Sequence, residues 1–460
     1  MWTSRRRLMN AALAIAGVGL VALQFHAAAQ TPTRLAKDPG PRGGSLDAGG
    51  PLPNLSEPEK EYFYAAQDEF TTEEGVEEGL GPRMNLDSCS GCHLFPAVGG
   101  SSPPQNPQVA FATKIGGSDD LPPFITLNGP VRETRFVRNA DGTPDGGVHA
   151  LFTISNRAGA AGCTLKQPDY AGELAKNNVV FRIPTPTFGG GLIEAIPDSA
   201  IVANANNNAA AKNMLGIRGR PNFSLAGLTI SGQTNNNGND GTIARFGWKA
   251  QNKSLLVFAG EAYNVEMGIT NEVFETEREE ATACQFAPVP NDTTNMAASS
   301  AFDGLSDVEK FAIFMRLLAA PTPSTTTPGG STSITNGSKL FNDVGCALCH
   351  TPSMTTGNAS IQALRNQTVN LYSDLLDHDM GVGLADGVSQ GEAGPREFRS
   401  APLWGLGQRL FFLHDGRTSD LLVAIRAHQS IGSEANGVIL GFNRLSEAQK
   451  QDLLNFLRSL

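Results

Sequence analysis

Asp87–Phe95 reads DSCSGCHLF, and Val344–Pro352 reads VGCALCHTP. Each holds Cys-x-x-Cys with a His directly after the second Cys. Cys-x-x-Cys by itself serves half a zinc site, a redox dithiol or a haem attachment site. The adjoining His selects the third. Two thiols add across the haem vinyl groups, and the imidazole next to them binds the iron. A zinc ribbon has no use for a His fixed at that place, and neither copy follows a strand in a βαβ setting. The reading is two covalently bound haem c groups. Cys89, Cys92, Cys346 and Cys349 are the thioether residues, and His93 and His350 the proximal iron ligands.

Covalent haem attachment takes place outside the cytoplasm, and the N-terminus agrees. Arg5–Arg7, the apolar run Leu8–Leu23 and Ala27-Ala28-Ala29 have the layout of a cleaved signal peptide over residues 1–29. The expected location is the periplasm, with no stable membrane insertion. An oxidising compartment makes the remaining pair, Cys163 and Cys284, a candidate disulfide. The formal charge is −10. Loss of Arg5, Arg6 and Arg7 with the signal takes it to −13, which excludes a general attraction for nucleic acid. A small redox protein is the expected electron donor, and peroxide or oxygen the expected oxidant.

Outward from the two motifs the chain repeats itself. RIPTPTFGGGLIEAIPD (Arg182–Asp198) follows the first, and RSAPLWGLGQRLFFLHDGR (Arg399–Arg417) the second. LSDVEKFAIFMRLL (Leu305–Leu318) mirrors LSEAQKQDLLNFLRSL (Leu445–Leu460). In both, a Ser N-cap and early acids precede apolar residues at helical spacing: Phe311, Phe314, Met315, Leu318, and Leu453, Leu454, Leu457, Leu460. The fold class is mainly α: two cytochrome c-like haem domains with long irregular loops. The first spans 30–319, a Pro/Ser/Thr/Gly-rich linker 320–333, and the second 334–460. The first half carries insertions of about 41 and 76 residues by this register. Cys163 falls in one and Cys284 in the other, so their bridge would tie the insertions together. Minor β structure is expected in the insertions, at Val148–Ser155 and Ser254–Ala259.

Whether each iron carries electrons or meets an oxidant depends on its sixth ligand. His428, in LLVAIRAHQSIG, is the first candidate opposite His350; His378 and Met380, in LLDHDMGVG, are rivals, with Met380 next. The other reading of His378, and that of His414, is a loop anchor or a hydrogen-bond donor to haem propionates. Aligned on Pro186 and Pro402, His428 matches Lys212, so the N-terminal haem lacks the equivalent ligand. His149 reads as a loop residue and Met214 as a weak candidate. Glu194 is an acid in an apolar stretch, suited to relaying protons to a bound peroxide.

CSGCH, GLIEAIPD, RFGWKAQ, MGITNE, GCALCHTP, YSDLLDHDMG, LADG, FRSAPLWGLG and FLHDGR together resemble the di-haem oxidoreductase family, related to bacterial di-haem cytochrome c peroxidases and di-haem rubber oxygenases. The resemblance runs over most of the mature chain. It implies a six-coordinate, electron-receiving C-terminal haem and an oxidant-binding N-terminal haem. It implies that Trp248 lies between the haems and that Tyr263 is an aromatic on the open side of the N-terminal one. In the peroxidases the ligand on the helix after the HDG loop is Met; here His428 stands there. Calcium lies between domains in those relatives. This sequence has no calcium-loop signature, and calcium stays open.

Overall fold

The computed structural model describes residues 35–43, 48–114, 121–144, 159–224, 229–230, 233–234 and 242–460. The expected signal peptide, His149 and the strand expected over Val148–Ser155 lie outside these residues. Among the described residues, no helix is long and apolar enough to cross a membrane.

Six helices carry the architecture: α1 (Glu57–Thr71), α2 (Leu255–Met267), α3 (Asp307–Leu317), α4 (Gly330–Asp343), α5 (Leu421–Ala427) and α6 (Glu447–Ser459). The described strands form two-stranded antiparallel pairs only. The class is mainly α, as expected.

Helix α3 shows why the closing helices form. The Ser306 hydroxyl accepts from Glu309 N–H, and Glu309 returns a bond to Ser306 N–H, so two orphan donors are satisfied. Val308, Phe311, Ala312, Phe314 and Met315 are all buried. Their spacing makes one stripe that faces Phe63 and Phe70 of α1, with Phe314 4.7 Å from Phe70 and 5.5 Å from Phe63. Each such ring contributes roughly 1.5–3 kcal/mol by burial. The second half repeats the scheme. Ser446 and Gln449 form the capping box of α6, and α6 packs on α4. At Gly337 a Cβ would come within 2.0 Å of Asp452 O, so glycine permits the two backbones to touch. Phe341 and Phe456 meet alongside at 5.5 Å.

These packings build two main cores. One lies around α1, α2 and α3; the other lies around α4 and α6 and takes in Phe412, Leu421 and Phe442. The first also takes in Leu371, Leu375, Leu376 and Trp404 from the second half. Ala36–Leu460 is one compact unit.

Two expectations shift. The stretch Ser254–Ala259 is the N-cap and first turns of α2, not a strand: Ser254 accepts from Val257 N–H. Leu255–Met267 is apolar on most of its circumference, and over six residues a buried helix and a buried strand have the same pattern. The last residues of the expected linker belong to α4, which begins at Gly330. The part before it is tied down: Ser324 N–H donates to Ser459 O at 2.7 Å, and Arg42 donates to Thr322 O at 2.9 Å. The bridge Cys163–Cys284 forms, with a Cα–Cα distance of 4.8 Å, and joins segments 121 residues apart.

Candidate haem-binding sites

Cys89–Cys92 is one helical turn, capped by Ser88 through Gly91 N–H. It presents both thiols and His93 from a single loop. Cys346–Leu348 forms the equivalent tight turn before His350. None of the four cysteines is in a disulfide.

Three imidazoles share one arrangement. Nδ1–H of His93 donates to Gly100 O at 3.0 Å, that of His350 to Tyr372 O at 3.1 Å, and that of His428 to Ala424 O at 2.9 Å. A backbone carbonyl only accepts, so the proton sits on Nδ1, and Nε2 keeps its lone pair for a metal. Burial lowers His93 and His350 to about 4 and lowers His428 as well, which keeps the rings in the neutral form that ligates. His428 stands near enough for its charge to oppose a charge on His350. The donor set fits two haem irons.

His378 differs. Its Nε2 faces Asp374 at 3.0 Å and its Nδ1 faces Glu434 at 2.9 Å. With both nitrogens engaged it has no lone pair for iron, in line with an anchoring role. Met380 is held by its backbone, which bonds Arg396 O and the Ser430 hydroxyl.

The repeat is clearer in three dimensions than along the chain. Phe246 bridges Asn252, and Phe412 bridges Thr418. Ser254 then caps α2, and Asp420 caps α5. Each position in the second unit is 166 residues after its counterpart: 412 − 246, 418 − 252 and 420 − 254. Subtracting 166 from 428 gives Ala262, not Lys212. Lys212 is a buried structural cation whose Nζ donates to Asn204 O and Ala205 O. The register taken from Pro186 and Pro402 failed because an insertion separates that Pro from the loop: 60 positions from Pro186 to Phe246, against 10 from Pro402 to Phe412.

Ala262 lines a cavity of about 1330 Å³, open mouth included, with Cys89, Cys92 and His93 on its wall. Tyr263 and Trp248 line it too. Tyr263 also turns its hydroxyl toward Glu74, at 3.1 Å. Glu194 is absent from the lining. It pairs with Arg316 at 2.6 Å and accepts from Leu255 N–H at 2.8 Å, so it joins α2 to α3. The acid in the cavity is Glu266, one turn beyond Ala262. Withdrawal from water raises its pKa to about 8; Glu133 and Glu261 push the same way and Arg135 opposes them. Sequence reasoning missed Glu266, although the signal was the one used for Glu194: an acid inside an apolar run, here YNVEMG.

Trp248 joins this cavity to a second one lined by Trp404, Arg399 and Arg409. Its indole N–H donates to Ile183 O at 2.9 Å, and its ring lies edge-on to His414, with centroids 6.4 Å apart. The two halves exchange matching bonds here: Ile183 N–H to His414 O, and Arg399 N–H to Trp248 O, both 2.9 Å. His414 stacks on Phe398 at 4.4 Å, a ring role and not ligation. Arg399 Nε is a buried donor with no partner among the described residues. Burial lowers Arg399 and Arg409 to about 10, and the Arg399 charge adds to the shift at Arg409. Arg399 Nη1 donates to Arg245 O at 3.1 Å, so the guanidinium is left with its Nε–H, and a haem propionate would accept from it.

No curated protein matches the chain. Solved structures similar to it include Kuenenia stuttgartiensis hydrazine synthase, at 14% identity and TM-score 0.33, covering 91% of this chain and 96% of that one. The diheme peroxidase BthA from Burkholderia thailandensis E264 matches at 15% and 0.28, over 47% of this chain and 65% of that one. A MauG-like protein associated with microbial copper homeostasis matches at 15% and 0.29, over 60% and 90%. At these scores they carry no argument about activity. Residues 135–460 match the family described as "Di-haem oxidoreductase, putative peroxidase". That is well over half of the chain, and it includes the second Cys-x-x-Cys-His motif, Trp248, Glu266 and His428: the chain belongs to the di-haem oxidoreductase family.

Proposed function

We propose that this chain is a periplasmic di-haem c-type oxidoreductase of the peroxidase type, with an electron-transfer site in the C-terminal half and an oxidant-binding site in the N-terminal half. The observation that carries the proposal is the pair Ala262 and His428. They match in the 166-residue register of two similarly capped helices, Ala262 within α2 and His428 at the C-cap of α5, and only His428 carries a group able to ligate iron.

In this reading Cys89 and Cys92, and Cys346 and Cys349, anchor the two groups by thioether bonds. His93 and His350 would each supply a ligand to one iron, and His428 would supply a second ligand at the C-terminal site. The haem of the N-terminal half, when bound, supplies the iron at which a peroxide O–O bond is cleaved. Glu266 holds a proton at that cavity at neutral pH and is suited to hand it to the leaving oxygen. Arg399 and Arg409 would neutralise propionates. Trp248, whose ring contacts His414 and whose indole is fixed by Ile183 O, offers the electron a route between the halves. A small redox protein is the proposed donor. Two His ligands at the C-terminal site favour a lower potential than His with Met.

Electron paramagnetic resonance of the oxidised protein tests the proposal. One high-spin and one low-spin haem are expected, with cyanide binding at the first only and fast oxidation of the reduced protein by peroxide. Two low-spin haems that refuse cyanide and ignore peroxide would make it an electron-transfer cytochrome. The apolar side chains of the cavity, among them Phe258, Val265 and Met267, favour a second reading: a dioxygenase acting on an apolar substrate, similar to the rubber oxygenases. Oxygen consumption with such a substrate, without peroxide turnover, would select it.

A further inference from the structure

Tyr263 combines three features. Its ring lines the N-terminal cavity and is 2% exposed. Its hydroxyl donates to Glu74 Oε1 at 3.1 Å, with Asp307 Oδ2 at 3.5 Å. Its ring is the last of a packed series that starts at the proposed iron ligand: His93 to Phe70 at 6.2 Å, Phe70 to Phe311 at 6.0 Å, and Phe311 to Tyr263 at 5.0 Å. Glu74 is itself fixed to the haem loop, since its N–H donates to Asp87 O at 2.7 Å. Beyond Glu74 stand Asp307 and Glu69, whose side chains are 28% and 21% exposed and which share Lys310 at 2.9 Å.

A buried phenol needs a hydrogen-bond partner, and a backbone carbonyl would satisfy it. This one has a carboxylate that leads to solvent. The Lys310 ammonium already sits between two of the three carboxylates, Glu69 and Asp307, in the place a cation would take. What the pair does offer is a base for the phenolic proton. Loss of an electron alone would leave a strongly acidic phenol cation. Loss of the proton to an adjacent carboxylate in the same event avoids that species.

We propose that Tyr263 is a redox-active tyrosine, which gives one electron to the peroxide-oxidised N-terminal site as its phenolic proton passes to Glu74. The inference rests on the peroxidase-type reading above. The Tyr263 O–H bond breaks, an O–H bond forms on Glu74 Oε1, and a neutral phenoxyl remains. One hydrogen peroxide takes that electron, a second from the protein's iron, and two protons, and leaves as two waters. Tyr263 thus stores an oxidising equivalent when the donor protein runs short, and Glu74 returns the proton when the tyrosine is reduced again.

The test is rapid freeze-quench electron paramagnetic resonance of the two-haem protein mixed with hydrogen peroxide, alongside its visible spectrum. An organic radical signal is expected, and it should narrow when the protein is grown with ring-deuterated tyrosine. Tyr263→Phe should abolish it. Glu74→Gln should slow its formation at least about 10²-fold, the usual contribution of a positioned base. Haem oxidation with no radical, a signal indifferent to deuteration, or a signal that persists in Tyr263→Phe overturns the inference while the peroxidase-type reading stands. An unchanged haem spectrum after peroxide overturns both. If Tyr263→Phe fails to retain two haems, Glu74→Gln decides, and undiminished radical formation there is the negative result.

Discussion

The unit that starts at Phe246 and the unit that starts at Phe412 are built alike. Each has a turn of seven residues closed by a bridge between its ends, entered through a residue with positive φ: Gly247 at 85° in one, Leu413 at 68° in the other. Each then places a side-chain cap and a helix. The units differ at the wall of the haem site. The first presents Ala262 and, one turn later, Glu266; the second presents His428 at the Ala262 position, where α5 ends, and so has no helical counterpart of Glu266. A methyl group leaves an iron coordination position free, and an imidazole fills it. A buried acid supplies a proton. On the proposed function, the same scaffold would serve a site for chemistry and a site for electron transfer, and the residue at position 262 or 428 would decide which is which.

Exchanging these side chains gives the largest effects. Ala262→His is expected to turn the N-terminal haem low-spin and to abolish cyanide binding and peroxide reduction. His428→Ala is expected to turn the C-terminal haem high-spin or water-ligated, so that the protein binds two cyanides. Spin state by paramagnetic resonance and cyanide titration read both outcomes. An Ala262→His protein that still binds cyanide would break the comparison.

Glu266 comes next. Glu266→Gln keeps the shape and removes the transferable proton, so peroxide reduction should fall about 10²–10⁴-fold, while cyanide still binds. The pH dependence has a definite sign. Glu266 is raised to about 8, so it is protonated below that pH and loses the proton above it. Wild-type peroxide reduction should therefore decline as pH rises through about 8. The Gln protein should lack this limb. Glu133, Arg135 and Glu261 surround Glu266 in the cavity, so the inflection reports Glu266 in the field of these charges.

The readable parts of the sequence were those whose chemistry demands a fixed spacing. Cys-x-x-Cys-His marks a candidate haem loop by its spacing alone, and the closing helices showed their Ser caps and apolar stripes. His428 could be singled out because it ends the short apolar helix α5 after the HDGR loop. Ala262 was not, since the counterpart of a ligand is the absence of one, and its register depends on where an insertion lies. Ser254–Ala259 read as a strand because α2 is buried on most sides and lacks a polar face. Glu194 and Glu266 looked equivalent as acids in apolar runs. Only the fold shows that Arg316 takes up the first, whereas the second faces the cavity.

Stability should differ between the halves too. The Cys163–Cys284 bridge lies in the first half and has no counterpart in the second. Replacing both residues by Ser should destabilise the N-terminal half by about 2–4 kcal/mol. Hydrogen exchange separates the halves: amides near the bridge should exchange faster, and those of α4 and α6 should not change. Equal acceleration throughout would mean that the shared core couples the halves into one unfolding unit.

The smallest effect compares the two capping boxes. Ser306 and Ser446 cap α3 and α6 by the same bond, each accepting from the N3 amide at 3.3 Å. The start of α3 has a second cap. Asp292 accepts from Asp307 N–H at 2.8 Å and from Val308 N–H at 3.1 Å, so the first two amides of the helix stay paired without Ser306. Ser446 has no such support among the bonds of the described residues. Loss of a Ser cap costs about 0.5–2 kcal/mol. Ser446→Ala should fall in that range, and Ser306→Ala at or below its lower end. Asp292→Asn, which keeps the shape and halves the acceptor capacity, should make Ser306→Ala as damaging as Ser446→Ala. The readout is exchange of the first-turn amides of each helix in the single and double variants. Equal effects of the two Ser→Ala changes in the wild-type background would show that Asp292 does not share the load, and the two helix starts would then be energetically alike.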